Sequence, residues 1–355
     1  MSKLTYTDKP VFGFDIGRSS IKIMQVDASA KGKSKVVGYG TTFFDPKAIQ
    51  KGVIVDFEAV AKATKELFDT QFVGTLTTKR VAFSIPNEYS FSRVLSLPRM
   101  NAKELRAAVL SEASRTIPMK NEELYIDYEI GAEVSGNLQE IQLVATPRSI
   151  VDSFMTLSNI LDLEVALVET NIAAVSRIVT HAEGYDIVSL IIDLGSTAAD
   201  LSIYDGTTVR ITGTADCGSE DITAMIAKKL TVSITQAHTI KTRYGIEPSK
   251  KQGEILDSIK PELDKLLGEI RKMIRYYDER AAEGLEIGQI IILGGGANLP
   301  GLSGYITNQI RIPTRLCDPW QNITFGGLQA PHQLETTLYT TAAGLSLAPV
   351  EELTA

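Results

Sequence analysis

Two related α/β lobes that face a common cleft, with a small α/β unit inserted into the first, are the fold this sequence predicts. Three observations predict it. The segment Asp15-Ile-Gly17-Arg-Ser19-Ser20-Ile-Lys22, closing at Asp27, is matched far downstream by Asp193-Leu-Gly195-Ser196-Thr197-Ala-Ala-Asp200, closing at Asp205, with an equal span from first to last aspartate. Each copy follows an apolar, β-branched run (Val11–Phe14; Ile187–Ile192) and precedes another with partial alternation (Ile21–Val26; Leu201–Tyr204), the pattern of strand, tight glycine turn, strand. A further apolar strand, Ile290–Leu293, runs into Gly294-Gly295-Gly296 behind both copies. Either hairpin alone reads equally as an ordinary glycine turn; one copy per half indicates two related domains rather than one large sheet.

Between the hairpins, Ala59–Thr70 has the mixed apolar and charged spacing of an amphipathic helix, and Val81–Ile85 reads as a strand stopped by Pro86. Asn101–Thr116 reads as a helix that Asn101 caps, with Glu104 three residues on. Tyr125–Ile130 and Leu138–Thr146 read as strands and Ser149–Leu161 as a helix. Residues 80–148 interrupt the first half between its hairpin and its return, so they are expected to form the inserted unit.

In the second half, Asp221–Leu230 and Thr235–Tyr244 read as helices. Pro261–Glu283 is expected to be a long helix with Leu263, Leu266, Leu267, Ile270, Ile274 and Tyr277 on its core face and charge on the other. A helix, Ser303–Gln309, should follow the glycine turn. The expected division is 1–79 for the first lobe, 80–148 for the insert, 149–185 for the return and connecting segment, 186–335 for the second lobe, and 336–355 for a C-terminal helix and tail that rejoin the first lobe.

With 355 residues, 44% hydrophobic and 22% charged, the chain suits two sizeable cores. A net charge of −7 lacks the positive field that nonspecific nucleic-acid binding requires, so nucleic acid is not an expected partner. Cys217 and Cys317, with His181, His238 and His332, show no zinc-ligand spacing and no disulfide scaffold. Residues 1–10 are polar and lead straight into a strand, without the apolar core of a signal peptide. No apolar run reaches the ~20 residues that cross a bilayer. The expectation is a cytoplasmic protein that meets membranes only through partners.

The loops suit a nucleoside triphosphate. Binding its phosphates needs converging backbone N–H groups, and glycine permits both the twist and the close approach. Two glycine turns across a cleft grip a phosphate chain from both sides; Ser19, Ser20, Ser196 and Thr197 add hydroxyl donors and Lys22 a charge-assisted contact. Asp15 and Asp193 would repel phosphate unless a cation lies between them. Mg²⁺, which keeps several waters and takes few carboxylates, is the expected metal, reached by both aspartates through water; the bland alternative is that each aspartate stabilises its own turn. The triple glycine leaves room for a purine or ribose, and the helix after it would present N–H groups at its start. No Walker or dinucleotide fingerprint is present.

In this order, the motifs resemble those of the actin, Hsp70 and sugar-kinase superfamily, and within it the bacterial FtsA and PilM branch. The resemblance spans nearly the whole chain. It includes Gly52-Val-Ile-Val-Asp56, Glu112-Ala-Ser-Arg-Thr-Ile-Pro118, Ala145-Thr-Pro147, Val168-Glu169 and Tyr339–Leu345. It implies an actin-like (ribonuclease H-like, duplicated) fold with ATP or ADP and Mg²⁺ between the lobes. The first hairpin, with Asp15, Gly17, Arg18, Ser19, Ser20 and Lys22, resembles the first phosphate loop. Asp193–Asp200, with Gly195, Ser196 and Thr197, resembles the second, and Leu293–Leu299, with Gly294, Gly295, Gly296, Ala297 and Leu299, the adenosine loop. By position Gly218 resembles a glycine that approaches the nucleotide, Thr239 and Lys241 resemble helix positions near ribose and adenine, and Glu169 with Asn171 falls where active ATPases carry a water-positioning residue; a capping role for either is equally open. Arg18 departs from the usual small residue, and Ala198 from a common threonine, a loss on the order of 1 kcal/mol of phosphate contact. Binding is expected to survive this better than hydrolysis, which is expected to be weak or absent.

The chain's last residues, short, acidic and interrupted by Pro349, lack the basic amphipathic membrane helix with which FtsA-like proteins finish, so the PilM family fits better. That resemblance implies an adaptor in type IV pilus assembly and twitching motility. It would hold the N-terminal cytoplasmic tail of a PilN-like membrane protein, with other pilus ATPases, platform proteins and self-association as further contacts. The groove is expected between the first lobe and the insert, near Val81–Pro86, Ile141–Ala145 and the Ser149–Leu161 helix, with nucleotide state tuning partner choice. The alternatives are an FtsA-like filament-forming cell-division protein, a sugar or acetate kinase, for which a general base with a clear motif is missing, and a cleft kept only for structure.

Overall fold

The computed structural model describes residues 10–28, 33–133, 136–183, 187–249, 252–281 and 285–349. The polar N-terminal residues 1–9 and the acidic tail 350–355 discussed above lie outside them. The chain runs β1 (Phe12–Ile16), β2 (Ser20–Asp27), β3 (Ser34–Phe43), β4 (Ile49–Gln50), β5 (Val53–Ile54), α1 (Phe57–Thr70), β6 (Val73–Gly74), β7 (Arg80–Ile85), β8 (Phe91–Pro98), α2 (Ala102–Thr116), β9 (Leu124–Glu133), β10 (Leu138–Pro147) and α3 (Arg148–Ile160). It continues β11 (Glu164–Thr170), α4 (Asn171–Glu183), β12 (Ser189–Leu194), β13 (Ala199–Tyr204), β14 (Val209–Ala215), α5 (Ser219–Leu230), α6 (Ile234–Tyr244), α7 (Gln252–Asp278), β15 (Gln289–Leu293), α8 (Leu302–Ile310), β16 (Thr314–Leu316), β17 (Ile323–Thr324) and α9 (Thr340–Ser346).

Two mixed sheets form the lobes. The first is ordered β11-β7-β1-β2-β3-β17, with β6 beside β3; the second is β14-β13-β12-β15-β16. In each, an antiparallel hairpin is joined in parallel by a later strand: β1 pairs β2 and β7, and β12 pairs β13 and β15. The duplication read from the two aspartate-glycine segments is therefore a duplication of sheet topology. α1 and α3 cover the first sheet around Phe14, Leu67, Phe83 and Phe154, while α5, α6, α7 and α8 cover the second. Between the lobes, α4 sets Val175 and Val179 against Ile191, Ile291 and Leu293 of the second sheet, and Ala174 of the same helix packs with Val11, Ala82 and Leu345 on the first-lobe side.

Several helix starts follow local chemistry. Asn101 caps α2 in a reciprocal box with Glu104, at 3.0 Å and 3.3 Å, and Ser233 with Gln236 does the same for α6. The expected start of the long helix at Pro261 is corrected: α7 begins at Gln252 and carries Pro261 inside it. Proline is disfavoured there because it deletes one ladder hydrogen bond. Ile255, Ser258 and Ile259 are buried in the second-lobe core, and that packing outweighs the penalty.

The insert also begins later than expected. β7 lies in the first-lobe sheet between β1 and β11, with all six residues buried. A strand covered on both faces reads as a continuous apolar run, which is why Val81–Ile85 gave no sign of which sheet it joins. The small sheet is β8-β10-β9, closed by α2 over Leu105, Val109, Ile141 and Leu143. Near the end of the stretch assigned to the second lobe, β17 already pairs in parallel with β3 of the first sheet. The groove expected near Val81–Pro86 and Ile141–Ala145 is corrected in part, since β7 and Ile141, Leu143 and Ala145 are buried and cannot meet a partner. The insert reaches the second lobe instead: Arg210 bridges Asp205 and Glu140, and Thr208 Oγ1 donates to Gln142 Oε1 at 2.6 Å. No helix among the described residues is long and apolar enough to cross a membrane.

Candidate functional site

The two hairpins open onto one cavity between the lobes, of about 880 Å³. Its lining includes Asp15, Gly17, Arg18, Ser19, Ser20 and Lys22 from the first hairpin, and Asp193, Gly195, Ser196, Thr197 and Asp200 from the second. Gly294, Gly295 and Gly296 line it as well, with Lys241 from α6. The hairpin turns are built alike: Gly17 N–H donates to Ser20 O, and Gly195 N–H to Ala198 O, each at 2.9 Å.

The second turn is braced from behind by the N-terminus of α5. Ser219 N–H donates to Gly195 O at 3.0 Å and Glu220 N–H to Ser196 O at 2.8 Å. A Cβ at Gly218 would stand 2.2 Å from Ser196 O and 2.3 Å from Thr197 Cα. Gly218 therefore acts by letting α5 reach the turn, and it does not line the cavity. Gly294 has φ of +86°, and a Cβ there would meet Asp193 Oδ1 at 2.2 Å; the glycine lets the loop after β15 cross directly over that carboxylate.

The carboxylates at the cavity floor stand in different states. Asp15 accepts from Lys22 Nζ at 3.2 Å and from Ser84 Oγ at 2.7 Å. Asp193 makes no side-chain hydrogen bond among the described residues, and burial, then Asp200 and Asp15, push its carboxyl up to about 7. Asp200 accepts from Asn171 Nδ2 at 2.8 Å and Thr214 Oγ1 at 2.9 Å, yet burial still raises its carboxyl above the ordinary range. Asn171 Oδ1 accepts from Asn87 N–H at 2.9 Å, so this one amide ties the turn after β7 to the second hairpin.

On the other side, Lys241 Nζ donates to Ser219 O and Oγ and to Thr223 Oγ1, at 2.9, 2.6 and 2.8 Å. Burial pushes its ammonium down to about 8. His238, one helical turn earlier, also lines the cavity, and burial with the neighbouring Lys241 lowers its imidazole, which favours the neutral ring.

The sequence model of the family described as "Type IV pilus assembly protein PilM" matches residues 13–349. The chain belongs to this family. Among solved structures, the PilM-PilN type IV pilus biogenesis complex matches with a TM-score of 0.82 at 22% identity, over 96% of this chain and 98% of that one. MreB 5 of Spiroplasma citri bound to AMPPNP matches with a TM-score of 0.54 at 13% identity, over 95% of each chain. Among curated proteins, the cell division protein FtsA of Borreliella burgdorferi is 22% identical over 350 residues, 86% of this chain and 84% of FtsA. The fold of this PilM-family chain is the two-lobed actin-like one.

Five residues singled out in the sequence do not line the cavity: Gly218, Glu169, Thr239, Ala297 and Leu299. Glu169 is held by Arg177 in a two-pronged pair at 2.7 and 2.8 Å, and Arg177 also donates to Gly344 O at 2.9 Å, so the carboxylate locks α4 to β11 and α9 rather than facing the cleft. Thr239 is exposed on α6, one position off the face that Ile234, Thr235, His238 and Lys241 turn inward. Ala297 and Leu299 are buried in the second-lobe core. The N-terminus of α8 is not in the cavity lining either; its cap, Gly301, abuts Ile246 and Glu247. Sequence reasoning missed Thr235 and His238, although counting back from Lys241 in helical steps finds both. It also missed Thr337, whose Oγ1 donates to Gly294 O at 2.9 Å across a separation that no local pattern encodes.

Proposed function

We propose that this PilM-family chain binds ATP with Mg²⁺ in the interlobe cavity and serves as a cytoplasmic adaptor at the inner face of the membrane in type IV pilus assembly. The observation that carries the nucleotide reading is the convergence of two identically built glycine turns on one cavity whose floor holds an unpaired carboxylate, Asp193. The cavity volume lies within the roughly 300–1,000 Å³ of small-ligand sites. Ser19, Ser20, Ser196 and Thr197 bring hydroxyls to the phosphates from both walls, and Lys22, bonded to Asp15, offsets the charge of that carboxylate beside them. The residues fit a divalent cation: a positive ion near Asp193 and Asp15 would offset the burial, and after it the repulsion from Asp200 and Asp15, that raise Asp193, and two carboxylates suit a metal that keeps water and phosphate as its other ligands. When bound, Mg²⁺ supplies charge neutralisation on the phosphates. Lys241, Thr235 and His238 stand at the sugar and base end.

Hydrolysis should be slow. The Asn171 amide is committed to Asp200 and to Asn87 N–H, and Glu169 to Arg177, so neither candidate is left to orient an attacking water. Titration with ATP and Mg²⁺ on wild type, Asp15→Ala and Asp193→Ala tests the site: both variants should lose affinity, and three indistinguishable isotherms would show that the assignment is wrong.

For the partner, the reading is an extended N-terminal tail of a PilN-like membrane protein; the similar solved structure is a complex of PilM with PilN. Two features favour a position on the outer side of the insert. β9 ends its sheet with one edge unpaired among the described residues, and Tyr125 and Ile130 on it are exposed. α3 alongside exposes Met155, and its Asp152 accepts from Tyr125. A tail that adds a strand to β9 would gain main-chain hydrogen bonds and side-chain pockets together. Adding a tail peptide should shift the amide resonances of β9 and α3, and unchanged spectra there would remove this groove. Since Arg210 and Thr208 tie the insert to the second lobe, nucleotide state can bias the groove; equal tail affinity with ATP, ADP and no nucleotide would remove that coupling. An FtsA-like polymer is the second reading, favoured by the FtsA relative, and sedimentation of the isolated chain with ATP and lipid separates the two.

A further inference from the structure

We propose that Arg18 is the side chain by which the cavity distinguishes a nucleoside triphosphate from the diphosphate. The inference rests on the nucleotide reading above and assigns a specificity role to one residue. Arg18 stands at the tip of the first hairpin, inside the turn that Gly17 N–H closes on Ser20 O. It lines the cavity, is exposed, and makes no hydrogen bond or ion pair among the described residues.

The other lysines and arginines of the lining are already engaged. Lys22 is bonded to Asp15, and Lys241 to Ser219 and Thr223. The guanidinium of Arg18 thus keeps its five donors for a ligand, in the planar fork that matches two phosphate oxygens at once.

Its position selects which phosphate. β1 and β7 run parallel with Phe14 beside Phe83, so the turn after β1 that carries Arg18 and the turn after β7 that carries Asn87 and Glu88 emerge side by side at one end of the cavity. Asn171, bonded to both Asn87 and Asp200, belongs to that end. Lys241, Ser219, Thr223 and His238 form the other, on α5 and α6. A nucleotide with its sugar and base against α5 and α6 lays its phosphates between the hairpins and points the last of them at Arg18. There a terminal phosphate stands near the carboxylates of Glu88 and Asp200, and among the described lining residues Arg18 is the lysine or arginine not already bonded within the chain, so it offsets them. A diphosphate ends short of this point and does not need the residue.

Binding of ATP and of ADP, each with Mg²⁺, should be measured calorimetrically on the full chain as wild type, Arg18→Ser and Arg18→Lys. Wild type should prefer ATP. Arg18→Ser should lose ATP affinity on the order of tenfold, the scale of a charge-assisted hydrogen bond, while ADP affinity stays within about twofold. Arg18→Lys, a charge without the fork, should fall between, and it carries the test alone if serine disturbs the hairpin. An unchanged ATP-to-ADP ratio in the variants, or equal losses for both nucleotides, overturns the role of Arg18 while leaving the nucleotide site standing. Wild type that binds neither nucleotide overturns the nucleotide reading itself.

Discussion

In the first hairpin Asp15 lies directly across the strand pair from Lys22; in the second, the register places Asp200 across from Asp193. The backbones are copies, down to a turn hydrogen bond of 2.9 Å in each, but the cross-strand partner has changed sign. Opposite charges at such a position stabilise a sheet and like charges oppose it. Asp15 is accordingly satisfied by Lys22 and Ser84, whereas Asp193 is left unpaired with its carboxyl at about 7. The repeated motif thus differs in its charge balance: the first hairpin neutralises its own carboxylate, and the second keeps an electrostatic deficit that a bound cation can cancel.

Breaking the satisfied side should have the largest effect. Asp15→Asn leaves Lys22, whose side chain is only 11% exposed, without its anion, and should lower unfolding free energy by about 2–4 kcal/mol in denaturant titrations at pH 7. A neutral effect would mean that the two hairpins are electrostatically equivalent after all.

The matching change on the other side should have the opposite sign. Asp193 has a folded-state carboxyl pKa of about 7, against roughly 4 in an unfolded chain, so between those values the folded protein holds a proton that the unfolded one lacks. The stability this proton contributes is complete below about pH 4 and is lost as pH rises through 7. Asp193→Asn cannot lose that proton. Without nucleotide or metal it should therefore exceed wild type by about 1–3 kcal/mol at pH 8 and match it near pH 4, measured by thermal or denaturant unfolding across pH. Equal pH profiles would refute the unpaired state of Asp193.

Asn171→Ala should cost about 1–2 kcal/mol, because it strands Asn87 N–H and removes one donor from Asp200. The Asp200 carboxyl should rise further, which carboxyl carbon NMR can follow; an unmoved resonance would show that the bridge carries no weight. Thr239→Ala should have the smallest effect, within about 0.5 kcal/mol in stability, with ATP affinity unchanged, since the residue is exposed and off the cavity face of α6.

Much of the second-lobe cavity lining was legible where chemistry is local. Asp193, Gly195, Ser196, Thr197 and the three glycines were read from one turn and one strand end. Lys241 came from the family resemblance, but its inward neighbours Thr235 and His238 needed only the helical period. Glu169 does not line the cavity, and its two roles could not be told apart in the sequence because its partner, Arg177, becomes visible only once β11 and α4 are folded together.

Considered alone, the sequence determined the paired hairpins, the caps of α2 and α6, and the contrast between Lys22 and Asp200, since each depends on residues a few positions apart. Tertiary structure decided that β7 sits inside the first sheet, that Pro261 is carried within α7, and that Ser84 and Thr337 brace the floor of the cavity. Those outcomes depend on contacts between distant segments, such as Ser84 with Asp15, 69 residues apart, and their energy comes from burial and hydrogen bonds that do not exist until the lobes have assembled.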